Sequence, residues 1–210
     1  MIKFITIPVS KFLLFTAVLV FASCNNSPQK ETESAISLDK LNELIPLIED
    51  GDFIIKRGKG SISKMIVKKL NEKIPFSHCG IIIRENDSIY IVHSVAKELS
   101  GKDGVQIISL KEFLDDSYNG SVKLCRLKTD KKNKESISLN AKSHLKNKVP
   151  FDYEFDYENR ESFYCTELLY NSLENKLKEN IFKKSNIDNK QVLTFNSFLD
   201  TTFFTVVPIN

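Results

Sequence analysis

The chain has 210 residues, enough for one domain with a full core and an N-terminal extension. Hydrophobic residues make up 41% and charged residues 27%, ordinary values for a globular protein. The formal charge of +3 falls to about +1 without Lys3 and Lys11, which leaves no basic surplus of the kind that binds nucleic acid.

Residues 1–23 read as an export signal: Lys3 and Lys11, an apolar run from Phe12 to Phe21, then small residues before Cys24. The run is too short to span a bilayer comfortably. Phe21-Ala-Ser-Cys24 resembles the bacterial lipobox, in which the cysteine becomes the lipidated N-terminus, although the first position usually holds a large aliphatic residue. Residues 24–36 are polar and without periodicity, as a tether requires. The expectation is a lipoprotein on the bacterial cell envelope, attached to the membrane by its lipid, with residues 37–210 as the catalytic domain.

Leu38–Glu49 has helical spacing (Leu38, Leu41, Ile45, Ile48), interrupted at Pro46, where the helix should stop or kink. Asp52–Lys56 is a short apolar strand. Ser61–Leu70 is a predicted helix with Ile62, Met65, Ile66 and Leu70 facing inward. Phe76–Arg84 and Ser88–Val95 are strands around Glu85-Asn86-Asp87, a hairpin signal because Asn and Asp tolerate left-handed backbone. Further strands are predicted at Gly104–Ile108, Ser121–Leu127 and Phe203–Pro208. Helices are predicted near Leu110–Leu114 and over Lys134–Lys146, with Lys131–Lys134 as a solvated run. Val149–Tyr157 reads as a loop with a strand fragment, and Ser185–Lys190 as a polar loop. This is an α+β pattern with a mainly antiparallel sheet.

The stretch Glu161–Tyr170 organises the chemistry. From Cys165 onward, Leu168, Leu169, Leu173 and Leu177 recur at helical spacing, so the cysteine lies on the apolar face of a helix. With Ser162 as N-cap, Cys165 falls in the first turn, where unpaired N–H groups and the helix dipole favour thiolate. Cys79, Cys125 and Cys165 are odd in number and lack short paired spacing, which fits neither a disulfide framework nor a metal site. Of the three histidines, His144 sits in a Lys-rich helix and is expected to be solvated. His78 and His93 lie on consecutive hairpin strands, and loop parity decides whether they meet. A two-residue turn at Asn86-Asp87 makes them diagonal neighbours on one face, a four-residue loop pairs them directly, and a three-residue loop puts them on opposite faces.

His78-Cys-Gly-Ile in a strand, a polar residue one hairpin later and Tyr164-Cys-Thr-Glu-Leu opening a helix resemble the circularly permuted papain-like enzymes of the YiiX/YaeF type. These belong to the NlpC-type superfamily, which includes lecithin retinol acyltransferase. Gly51-Asp-Phe-Ile-Ile and Pro150-Phe-Asp152 match as well, so the resemblance covers roughly Gly51 to Leu177. It implies a permuted papain-like (NlpC-type) fold whose sheet packs against the helix bearing the cysteine. It also implies Cys165 as nucleophile, His78 as general base and His93 as the third, orienting group, with no metal or cofactor. YiiX-like members commonly carry Glu at the third position and the acyltransferase branch a second histidine, so amide hydrolysis and acyl transfer both stay open. The substrate is expected to be a peptide, a peptidoglycan stem peptide or a lipid acyl group. The Cys165 backbone N–H and one further donor would hold the oxyanion. Tyr164 is a candidate for shaping the site or for core packing, and Glu167 is expected to be structural, pointing away from Cys165. A non-catalytic envelope binding module is the competing class, and the full Cys, His, His set argues against it.

Overall fold

Residues 38–208 are described here by a computed structural model. The predicted signal segment 1–23, Cys24 and the tether 24–36 lie outside the described residues. The chain opens with α1 (Leu38–Leu44), which passes into a 3₁₀ turn at Ile45–Leu47. The change of helix type comes at Pro46, as the missing N–H dictates. There follow β1 (Phe53–Lys56), α2 (Ser61–Leu70), β2 (His78–Glu85), β3 (Ser88–Val95), α3 (Lys97–Ser100), β4 (Gly104–Ser109), α4 (Leu110–Asp115) and β5 (Lys123–Leu127). The rest comprises α5 (Lys131–Lys146), α6 (Cys165–Ser172), α7 (Asn175–Ile181), β6 (Lys184–Ile187), β7 (Lys190–Leu193), a 3₁₀ turn at Phe195–Leu199 and β8 (Phe204–Pro208).

Six strands form one antiparallel sheet in the order β4-β3-β2-β1-β5-β8. Every residue of central β1 is buried, because both faces of the sheet are covered. On one face α5, α6, α7 and the second 3₁₀ turn build the larger core with Phe53, Ile55, Cys79, Ile81 and Ile83. On the other, α1 and α4 cover Ile54, Ile82 and Ile91 with Leu44, Leu110, Phe113 and Leu114. The α+β architecture with an antiparallel sheet is as the sequence predicts.

Several local expectations are corrected. Helix α2 has the predicted bounds but buries no residue: Met65 is 56% exposed and Ile62 38%, and only Ile66 and Leu70 reach the larger core. Leu139 is also exposed, and Ala141 takes the core position beside Ile137 on α5. The Cys165 helix does not run on to Leu177. Ser172 turns its hydroxyl back to the Leu168 carbonyl, Leu173 becomes extended and buried, and α7 starts anew. Residues 184–193 are a hairpin rather than a polar loop, turned at Asp188-Asn189, both with positive φ. Val149–Tyr157 contains no strand among the described residues.

Candidate active site

The β2–β3 hairpin has a two-residue turn, with Glu85 opposite Ser88 and Asn86 at φ +54°. That even loop length puts His78 and His93 on one face as diagonal neighbours. Gly80 adjoins His93 just beyond the last pair, Ile81 and Val92, and a Cβ on Gly80 would lie 2.4 Å from the Ile91 side chain and 3.4 Å from His93 Cβ. The absence of a side chain there lets the His93 ring lean along the sheet toward His78. His78 Nε2 and His93 Nδ1 are 2.8 Å apart. The ring of Phe113, from α4, stacks on His78 at 5.7 Å and meets His93 edge-on at 6.3 Å.

Lys56 is the cross-strand partner of His78 and shares its face. It is 3% exposed, donates to the Phe113 carbonyl at 2.7 Å and to Asp116 at 3.2 Å, and lies 4.4 Å from the centre of the Phe113 ring. Burial holds His78 well below the ordinary imidazole range, reinforced by His93 and the Lys56 cation. Burial, then Lys56, pushes His93 down to about 3, with exposed Glu112 of α4 opposing. Both rings are therefore neutral at pH 7, and a reaction that needs neutral His78 loses its base only when pH falls through that lowered value. Asp116 and Lys59 are the other charges acting on Lys56. Lys56→Met removes the cation on this face, so the acid limb of kcat/KM should move to higher pH. Proton NMR of the imidazoles in Cys165→Ala would check the same shift without turnover.

Cys165 is the first residue of α6, and its N-cap is Tyr164 with extended backbone, not Ser162. The Ser162 hydroxyl instead accepts from the Asn159 side chain. At this first helical position the Cys165 N–H has no partner within the helix. The preceding segment is pinned to β3 by Ser94, whose hydroxyl donates to the Phe163 carbonyl. Cys165 is half-buried, and its thiol lies against that of Cys79, which burial and the contact with Cys165 hold far above the usual thiol range. Strand alternation turns Cys79 toward α6 and His78 toward Phe113. The structure thus joins His78 to His93, and Cys165 to Cys79, the residue next to His78. No hydrogen bond links Cys165 to His78 among the described residues.

The hydroxyl of Tyr164 accepts from the Leu193 N–H at 2.9 Å, and its buried ring lies 5.4 Å from Phe155. It fastens the start of α6 to β7. Glu167 is fully buried, and its carboxyl accepts the Tyr164 N–H at 2.8 Å, capping the helix. Burial raises its pKa to about 9, so it adds no full negative charge beside the thiol at neutral pH. His144 is half-buried rather than solvated, edge-on to Phe163 at 4.9 Å, with its Nε2 3.4 Å from the Asn171 carbonyl. Lys56 and Phe113 are site residues that the sequence reading missed. The signal for Lys56 was a lysine ending an otherwise apolar strand.

No curated protein matches the chain. Among solved structures, the YiiX protein of Escherichia coli O157:H7, described as a metalloprotein, is similar with a TM-score of 0.62 at 18% identity, over 76% of this chain and 96% of that one. That likeness is one of fold. Among the described residues here, no three His, Cys, Asp or Glu side chains converge as metal ligands would. A sequence model described as permuted papain-like amidase enzyme, YaeF/YiiX, C92 family, matches residues 47–208, most of the chain. The protein belongs to this family of permuted papain-like cysteine amidases.

Proposed function

We propose that the protein is a lipid-anchored envelope amidase that cleaves a peptide or peptidoglycan stem peptide through a thioester on Cys165. The observation that carries this reading is the neutral pair of half-buried His78 and buried His93, with His78 one residue along β2 from the partner of the Cys165 thiol. With Nε2 of His78 committed to His93, Nδ1 is the nitrogen left to serve as base. In the competent tautomer Nε2 carries the proton and donates to His93 Nδ1. His78 Nδ1 takes the thiol proton as sulfur attacks the carbonyl carbon, and the tetrahedral oxyanion is held by the Cys165 N–H. The imidazolium returns that proton to the leaving amine as the C–N bond breaks. Water, deprotonated by His78, then hydrolyses the thioester and regenerates the thiol. The thiol has to turn from Cys79 to His78 for this, a closure that accompanies substrate binding, since catalytic hydrogen bonds commonly tighten only in the Michaelis complex.

Iodoacetamide at neutral pH is expected to label Cys165 in preference to buried Cys79 and Cys125, and the purified protein to release amines from muropeptides but no fatty acid from phospholipids. In cells, Cys24→Ala is expected to leave the membrane fraction, because two or more acyl chains make attachment stable where one is marginal. Labelling of Cys165 without amide turnover, combined with acyl release from lipid, would replace the amidase by an acyl hydrolase or acyltransferase. An unreactive Cys165 would point to a binding module.

A further inference from the structure

We propose that a cavity at the end of the sheet beside His78 is a subsite for the free carboxylate of a peptide substrate. This rests on the amidase reading and goes beyond it by assigning the chemistry at one end of the substrate. The cavity measures about 340 Å³ and is lined by Arg57, Lys123, Asn119, Tyr118, Ile74 and Phe76, among others. It opens where β1 ends at Lys56, β2 begins at His78 and β5 begins at Lys123. The Ser77 N–H donates to the Lys56 carbonyl and the Ser77 hydroxyl accepts from Gly58, so the wall carrying Phe76 and Arg57 is tied to the strand that carries His78.

Three observations point to an anion. The lining contains two cations and no carboxylate. Neither Arg57 nor Lys123 makes an ion pair among the described residues, although Lys56, next to Arg57, pairs with Asp116. The Arg57 guanidinium is held over the Tyr118 ring, 4.5 Å from its centre, and Arg57 Nε is buried without a hydrogen-bond partner. A planar fork fixed by stacking, with a buried donor unsatisfied, is built to receive two oxygens of one oxyanion. Ile74, Phe76 and the Tyr118 ring supply apolar wall for the side chain that precedes a terminal carboxylate. The volume lies near the lower end for small-ligand sites, about 300 Å³, and suits one terminal residue rather than an acyl chain.

The test is calorimetry on Cys165→Ala with an N-acetyl dipeptide, the same dipeptide as its C-terminal amide, and glycerophosphate. The free acid is expected to bind at least about tenfold more tightly than the amide, and Arg57→Met to abolish that preference. Lys123→Met, at the other cation of the lining, should reduce the preference to a smaller extent, and it decides the matter if Arg57→Met does not fold. Equal affinity for acid and amide, or tighter binding of glycerophosphate than of the acid, overturns the subsite. Because binding is read without turnover, acid preference in a protein that hydrolyses no amide would overturn the reaction and leave the subsite standing. Hydrolysis without acid preference would do the reverse.

Discussion

Replacing His78 by alanine is expected to lower kcat/KM for amide hydrolysis by about three orders of magnitude, the scale of losing a positioned general base. His78 keeps Nδ1 free of any hydrogen bond among the described residues while its Nε2 meets His93, and it adjoins Cys79, the residue that the Cys165 thiol touches. Its other partners are replaceable: Phe113 still covers the strand, and His93 can rehydrate at the gap left behind. The fold should therefore survive, with an unchanged far-ultraviolet spectrum, while iodoacetamide labelling of Cys165 slows in step with activity. Full activity in His78→Ala would remove the base assignment. Unchanged labelling with lost turnover would move His78 from activating the thiol to protonating the leaving amine.

His93→Leu is expected to slow the reaction by about two orders of magnitude or more, whereas His93→Glu should keep activity and can raise it. The two outcomes follow from what His93 does in the 2.8 Å contact. As hydrogen-bond acceptor it fixes the His78 tautomer and supports the imidazolium through its dipole alone, since burial and Lys56 keep it uncharged down to about 3. Leucine supplies neither effect. A carboxylate supplies both and adds a charge that favours His78 as a cation, so the acid limb of the pH–rate profile should move upward in His93→Glu. That limb separates electrostatic support from mere packing, because a structural role for His93 would alter stability without moving it. A His93→Leu protein as fast as the parent would dismiss His93 from the site.

Much of the local architecture was legible in the sequence. Glu85-Asn86-Asp87 between two β-branched runs marked the hairpin, but its loop length stayed open until the structure gave a two-residue turn, whose parity puts both histidines on one face. Helical spacing after Cys165 marked α6, and Pro46 marked the end of α1. These signals are short-range, carried by backbone preferences and by a period of 2 or 3.6 residues. The same periodicity could not say what covers an apolar stripe. Ile62 and Met65 have the spacing of core residues, yet α2 lies outside the sheet and leaves them in solvent. Leu173 and Leu177 continue the rhythm of α6 across a break at which Leu173 is extended and the Ser172 hydroxyl returns to the Leu168 carbonyl.

By itself, the sequence determined the chain order of the six sheet strands, the antiparallel hairpin and the family motifs around His78 and Cys165. Only the tertiary structure decided which charges and thiols meet them. Lys56 and Phe113 reach the histidine pair from β1 and α4, and Cys79 rather than His78 receives the Cys165 thiol. A strand's alternation names its two faces, but the element that packs on each is chosen by contacts between residues far apart in the chain, and no local period encodes those.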